Sequence, residues 1–158
     1  MKDEQTLGEA RQHLRDHWEE GTPCPCCRQL VKQYKRKLNS AMAYGLILVS
    51  RAKADDGWVH IERYFKSLNI PSSIRGDMSK LKFWGLLEAK EGEREDGSTR
   101  LGFYRITDKG RQFVNGQISV QERVKLFNQK FYGFDGDEIT IKQALGSKFD
   151  YNELMEAK

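Results

Sequence analysis

The hydrophobic pattern of residues 28–106 changes period once, and that change constrains the fold more than any other feature of the chain. Up to Gly85 apolar residues recur at spacings of three and four, as one side of a helix requires. From Leu86 onward they form short runs around a polar turn, as a hairpin requires. Val31, Tyr34, Leu38, Ala41, Met42, Gly45, Leu48, Val49 and Ala52 make one stripe, which predicts a single long helix over 28–53, stopped by Asp55-Asp56-Gly57. Trp58 and Val59 suit a short strand, and Ile61, Phe65 and Leu68 follow at helical spacing. Ile70-Pro71 ends that helix, because proline disfavours helical geometry at the residue before it. Ser72 or Ser73 is expected to cap a third helix over 73–84, with Gly85 as its C-cap. Leu86–Lys90 and Leu101–Ile106 are strand candidates on either side of EGEREDGST, where Asp96-Gly97 is a strong turn signal. Thr107 is placed to cap a further helix.

Helix, short strand, helix, helix, hairpin, helix is the order of a winged helix-turn-helix. SSIRGDMSKLKFWGLLEAK resembles the recognition helix and following strand of the MarR and PadR families of winged-helix proteins, and ITDKGRQFV resembles the passage that leaves their wing. The resemblance covers a little over half the chain. It implies an α+β, mainly helical fold with a winged helix at 28–115; outside it, the residues themselves read as a Cys/His-containing element at 1–27 and a strand and helix extension at 116–158. It also implies a DNA-binding transcriptional regulator.

The charge distribution agrees with a polyanionic partner. The net charge is +4, yet residues 21–54 carry seven bases and no acid, so nearly all the positive excess lies on one segment. In a helix-turn-helix the second helix enters the major groove. Ile74, Met78 and Leu81 should face the core, which leaves Ser72, Ser73, Arg75, Gly76, Ser79, Lys80 and Lys82 toward the duplex. Arg75 suits a bidentate guanine contact, Lys80 and Lys82 suit phosphates, and Gly76 lets a backbone approach closely. Lys32, Lys35 and Arg36 on the first helix would add a backbone clamp. A homodimer seam along that helix is a further expectation.

The expected hairpin tip is acidic, with Glu91, Glu93, Glu95 and Asp96 against Arg94 and Arg100. Such a tip would be repelled from a minor groove. This keeps open an alternative, a protein–protein adaptor that meets its partner at the acidic hairpin.

The stretch HLRDHWEEGTPCPCC holds all three cysteines and two of the three histidines. His13 and His17 are four apart on an expected helix, and Cys24 and Cys27 have C-x-x-C spacing. These four match the ligand types of a closed, structural Cys2His2 zinc site. Two other readings stay open: redox-active thiols at Cys24, Cys26 and Cys27, or small apolar residues in a proline-containing turn.

No hydrolase elbow, phosphate loop or dinucleotide fingerprint is present, so a non-enzyme is expected. The apolar run Leu46–Val49 is far too short to span a bilayer, and no membrane partner and a cytoplasmic location are expected. In the C-terminal part, VKLFNQKFYGF and EITI suggest strands around an Asp135-Gly136 turn. TIKQALG reads as a short helix, and Asp150 and Glu153 have capping-box spacing.

Overall fold

The computed structural model describes residues 4–54, 56–92, 102–127 and 130–156. The chain forms two compact units, Met1–Arg36 with Arg123–Asp135, and Lys37–Glu122 with Gly136–Lys158. This division differs from the boundaries at 27/28 and 115/116 expected from sequence, because the first unit is built from two separated stretches of chain. The fold is mixed α+β rather than mainly helical, with 42% of the described residues in helices and 25% in strands. Among the described residues, no helix is long and apolar enough to cross a membrane.

The first unit begins with α1 (Leu7–His17), capped by Thr6, whose hydroxyl accepts the Glu9 N–H at 3.1 Å. Ala10 is buried, and Trp18 at the helix end sets its ring edge-on to Tyr132 and Phe127, at centroid distances of 4.9 and 5.5 Å. β1 (Thr22–Pro23) pairs antiparallel with β2 (Leu30–Val31), Thr22 opposite Val31, and Cys24 to Gln29 close the turn.

The single helix expected over 28–53 does not form. Arg28 has φ 68°, outside the right-handed helical region, and β2 is followed by β3 (Tyr34–Lys37), exposed at all four positions. The helical spacing of Val31, Tyr34 and Leu38 was coincidental. The Leu38 N–H instead donates to the Glu122 carbonyl at 2.8 Å, a partner far along the chain that the local pattern does not contain. Helix starts only at α2 (Ser40–Arg51), where the Asn39 side chain accepts the Met42 N–H at 2.9 Å.

In the second unit α2 buries Met42, Ala43, Leu46, Ile47 and Val49. β4 (Val59–His60) leads into α3 (Ile61–Ser67), where His60 Nδ1 accepts the Arg63 N–H at 3.2 Å. The predicted third helix is broken. α4 (Ser72–Arg75) makes a single turn, with Pro71 rather than a serine at its N-cap, and a 3-10 helix then runs over Met78–Trp84. A 3-10 helix has three residues per turn, so Met78, Leu81 and Trp84 fall on one face, and all three are buried. The Trp84 indole N–H donates to the Gln121 carbonyl at 2.7 Å. Gly85, at φ 75°, ends the helix as expected.

β5 (Leu87–Ala89) and β6 (Phe103–Ile106) pair antiparallel, and β4 joins the other edge of β6 to give the order β4-β6-β5. The hairpin tip at 93–101, with Glu93, Arg94, Glu95, Asp96 and Arg100, lies outside the described residues, as does Asp55. Thr107 caps α5 (Asp108–Val114), accepting the Gly110 N–H at 2.9 Å. Gly110 packs against the Leu86 carbonyl so closely that a Cβ would overlap it, which is the physical reason for glycine in ITDKGR.

The C-terminal part corrects another expectation. β7 (Val120–Phe127) and β8 (Lys130–Ile139) form a three-stranded sheet with β3, in the order β3-β7-β8, and β8 runs straight through Asp135-Gly136. Gly136, at φ 84°, accommodates the irregularity, and the Asp135 carboxylate is paired rather than solvated as a turn. α6 (Ile141–Leu145) opens with a full capping box between Thr140 and Gln143. α7 (Tyr151–Glu156) follows, with Asp150 accepting the Glu153 N–H at 3.0 Å.

Candidate nucleic-acid interface

α3, α4, the 3-10 helix and β6 surround a cleft of about 670 Å³ in the second unit. Arg63, Lys66, Arg75, Gly76 and Ser79 line it, together with His60 and Tyr104. The helical stretch 61–82 carries five bases against two acids, Glu62 and Asp77. The acids matter locally. The Glu62 carboxylate lies 3.0 Å from Lys66 Nζ and 4.0 Å from the Arg75 guanidinium. The hydrogen bond and charge of Lys66, followed by the charge of Arg75, hold the Glu62 carboxyl below the ordinary glutamate value.

The residues expected to meet DNA divide between the two units. Ser72, Ser73 and Gly76 are exposed at the start of the broken helix, and Lys82 is exposed with its ammonium 5.3 Å from the Phe83 ring centre. Ser79 and Lys80 are half-buried. The Arg75 side chain is only 25% exposed and is turned toward Glu62 rather than outward. Lys32, Lys35 and Arg36 are exposed in the first unit, on and just before β3. They are not on a helix, so the clamp expected from a basic helix 28–53 is replaced by a basic strand. Arg63 and Lys66 were missed from sequence. The available signal was two bases three apart on the helix preceding the expected recognition helix.

The Cys/His stretch folds as a turn beside α1. Cys24 Sγ accepts the Cys26 N–H at 3.4 Å, and the backbone N–H groups of Cys27 and then Cys26 pull its thiol pKa below the ordinary cysteine value. His13 and His17 stack at 4.4 Å, as their spacing on one helix face requires. One nitrogen of each ring has a polar neighbour: His13 Nε2 lies 2.9 Å from the Thr22 hydroxyl, and His17 Nδ1 lies 2.8 Å from the His13 carbonyl. His13 and Cys24 line a common pocket, yet among the described residues no three His, Cys, Asp or Glu side chains converge as a metal set.

Comparison with protein families, with curated proteins and with solved structures finds no match to this chain.

Proposed function

We propose that residues 40–114 are a winged helix that binds double-stranded DNA, within a transcriptional regulator of the kind the MarR and PadR resemblance implies. The observation that carries this reading is the topology. α2, β4, α3, the α4 and 3-10 segment, β5, β6 and α5 follow one another in winged-helix order, and the antiparallel sheet β4-β6-β5 closes the hairpin back on the first strand.

The surface chemistry supports the same reading. Ser72, Ser73, Lys66, Lys80 and Lys82 are donors suited to phosphate, and phosphate contacts fix register without reading sequence. Arg75 is the base-reading candidate. In the free protein it is held by Glu62, so binding exchanges that ion pair for a contact with a base edge. Each good bidentate contact of this kind contributes about 1–3 kcal/mol of discrimination.

The test is a titration with random-sequence duplex at low and moderate salt, followed by selection from a random DNA pool. Steeply salt-dependent binding is expected. No binding at low salt would remove this reading and leave a winged-helix adaptor that meets a protein.

A further inference from the structure

The geometry of the first unit points to a second ligand. We propose that the face of the β3-β7-β8 sheet bearing Tyr34, Phe131 and Phe134 binds single-stranded nucleic acid, with bases stacked on these rings and phosphates held by neighbouring cations. This site is separate in chemistry from the proposed duplex-binding cleft and does not depend on it.

Which side chains share a face follows from two contacts. Lys35 Nζ and Arg123 Nη1 lie 3.5 and 3.6 Å from the same Asp135 oxygen, so Lys35 on β3, Arg123 on β7 and Asp135 on β8 are on one side of the sheet. Successive strand residues alternate sides. Tyr34 and Arg36 on β3, and Phe134 on β8, are therefore on the other side. Phe131 joins them: its ring meets that of Phe134 edge-on, with centroids 5.0 Å apart. Residues three apart on a regular strand face opposite ways, so this contact needs a local irregularity, and Gly133 at φ 114° supplies it. Tyr132 faces the other way, against Trp18. An otherwise costly glycine irregularity thus brings two phenylalanines to one face.

These rings are not core. Tyr34, Phe131 and Phe134 are 55%, 43% and 37% exposed, and they flank Val124 and Leu126, which are buried on the middle strand. Three exposed aromatics on the two outer strands form a stacking platform, and base–aromatic stacking tolerates any sequence because every base has a π-face.

The charge on the same segments selects the occupant. Residues 28–36 and 123–134 carry seven bases and no acid, of which Lys35 and Arg123 pair with Asp135 on the opposite face. Arg36 is on the aromatic face by alternation, and Lys32 is exposed just before β3. An apolar seam for a second copy of the chain would gain nothing from this accumulation of like charge, whereas a phosphate backbone does.

The experiment uses the full chain and fluorescence anisotropy with a labelled short oligothymidylate, and in parallel an oligouridylate to separate DNA from RNA, at low and moderate salt. Wild type should bind at least one of the two. Phe131→Leu and Phe134→Leu keep apolar bulk and should each weaken binding on the order of tenfold. Phe131→Tyr and Phe134→Tyr should bind as wild type, which excludes mere unfolding as the cause. Lys80→Gln with Lys82→Gln should leave this binding unchanged while acting on duplex. The proposal is overturned by absence of oligonucleotide binding at low salt, by leucine variants that bind as wild type, or by oligonucleotide binding lost with Lys80 and Lys82. Self-association in sedimentation without oligonucleotide binding would overturn it equally.

Discussion

Gly45 of α2 lies directly against Met78, close enough that a Cβ on the glycine would overlap the methionine sulfur. The contact ties the first helix of the proposed winged helix to the start of the 3-10 segment, with the Phe65 ring 3.4 Å from the same Cβ position. Gly45→Ala is expected to cost about 1–3 kcal/mol through overpacking. Gly110→Ala should cost more, because its Cβ would meet the Leu86 carbonyl, and backbone relaxes less readily than a methionine side chain. Urea unfolding checks both, read as a fall in midpoint at constant slope.

Gly76 should behave in the opposite sense. Its backbone is helical, at φ −57° and ψ −39°, and the nearest atom to an added Cβ is the Ser72 carbonyl oxygen at an ordinary 3.7 Å. Gly76→Ala is therefore expected to stabilise the protein by about 0.4–1 kcal/mol, chiefly by restricting the unfolded chain. If Gly76 admits a DNA backbone, the same variant should weaken duplex binding. A gain in stability with unchanged duplex affinity would show that the glycine is not needed for close approach.

Glu62 restrains two cations of the cleft. Glu62→Gln is expected to raise duplex affinity, because Lys66 and Arg75 lose an anionic competitor for phosphate and base edge. The pH dependence has a definite sign. A carboxyl whose folded pKa is lowered contributes stability that is present above its unfolded value and is lost as pH falls through the lowered one. Acid unfolding of wild type and Glu62→Gln should coincide at the lowest pH and separate, in favour of wild type, as pH rises through the lowered value, with the full difference reached above the ordinary glutamate range.

Cys24 should be the most reactive of the three thiols near neutral pH, since two backbone N–H groups stabilise its thiolate. Timed alkylation read by peptide mass spectrometry checks this order, and equal rates at Cys24, Cys26 and Cys27 would contradict it. Zinc content of the same preparation tests the Cys2His2 expectation independently. A full equivalent that also protects Cys24 and Cys27 would support the zinc reading, and well under one equivalent would remove it.

Lys66→Gln, Lys80→Gln and Lys82→Gln, made singly, should each flatten the slope of log duplex affinity against log salt by about 0.9 if the residue contacts a phosphate. An unchanged slope would take that residue out of the interface. Lys32→Gln and Lys35→Gln provide the comparison. A basic helix over 28–53 would put them in the duplex interface, whereas they belong to a different compact unit.

What sequence determined here is what short-range chemistry controls. Thr107 capping α5, Gly85 ending a helix, the short strand at Val59 and the strand pair around the hairpin each depend on residues within a few positions of one another. The capping hydroxyls, φ > 0 at glycine and strand alternation act there without help from distant chain. KFYGF is legible as a strand, but only the Phe131–Phe134 contact defines which of its rings share a face. The stretch from Arg28 to Lys37 was misread for the complementary reason. A three-and-four spacing of Val31, Tyr34 and Leu38 describes a helix only if the backbone hydrogen bonds close locally. Here Leu38 bonds Glu122 instead, and Lys35 reaches Asp135. Tertiary structure alone supplied those partners. It also divided the expected DNA-contacting residues between two units and turned Arg75 toward Glu62, because pairing across a sheet and between helices depends on residues the local pattern cannot see.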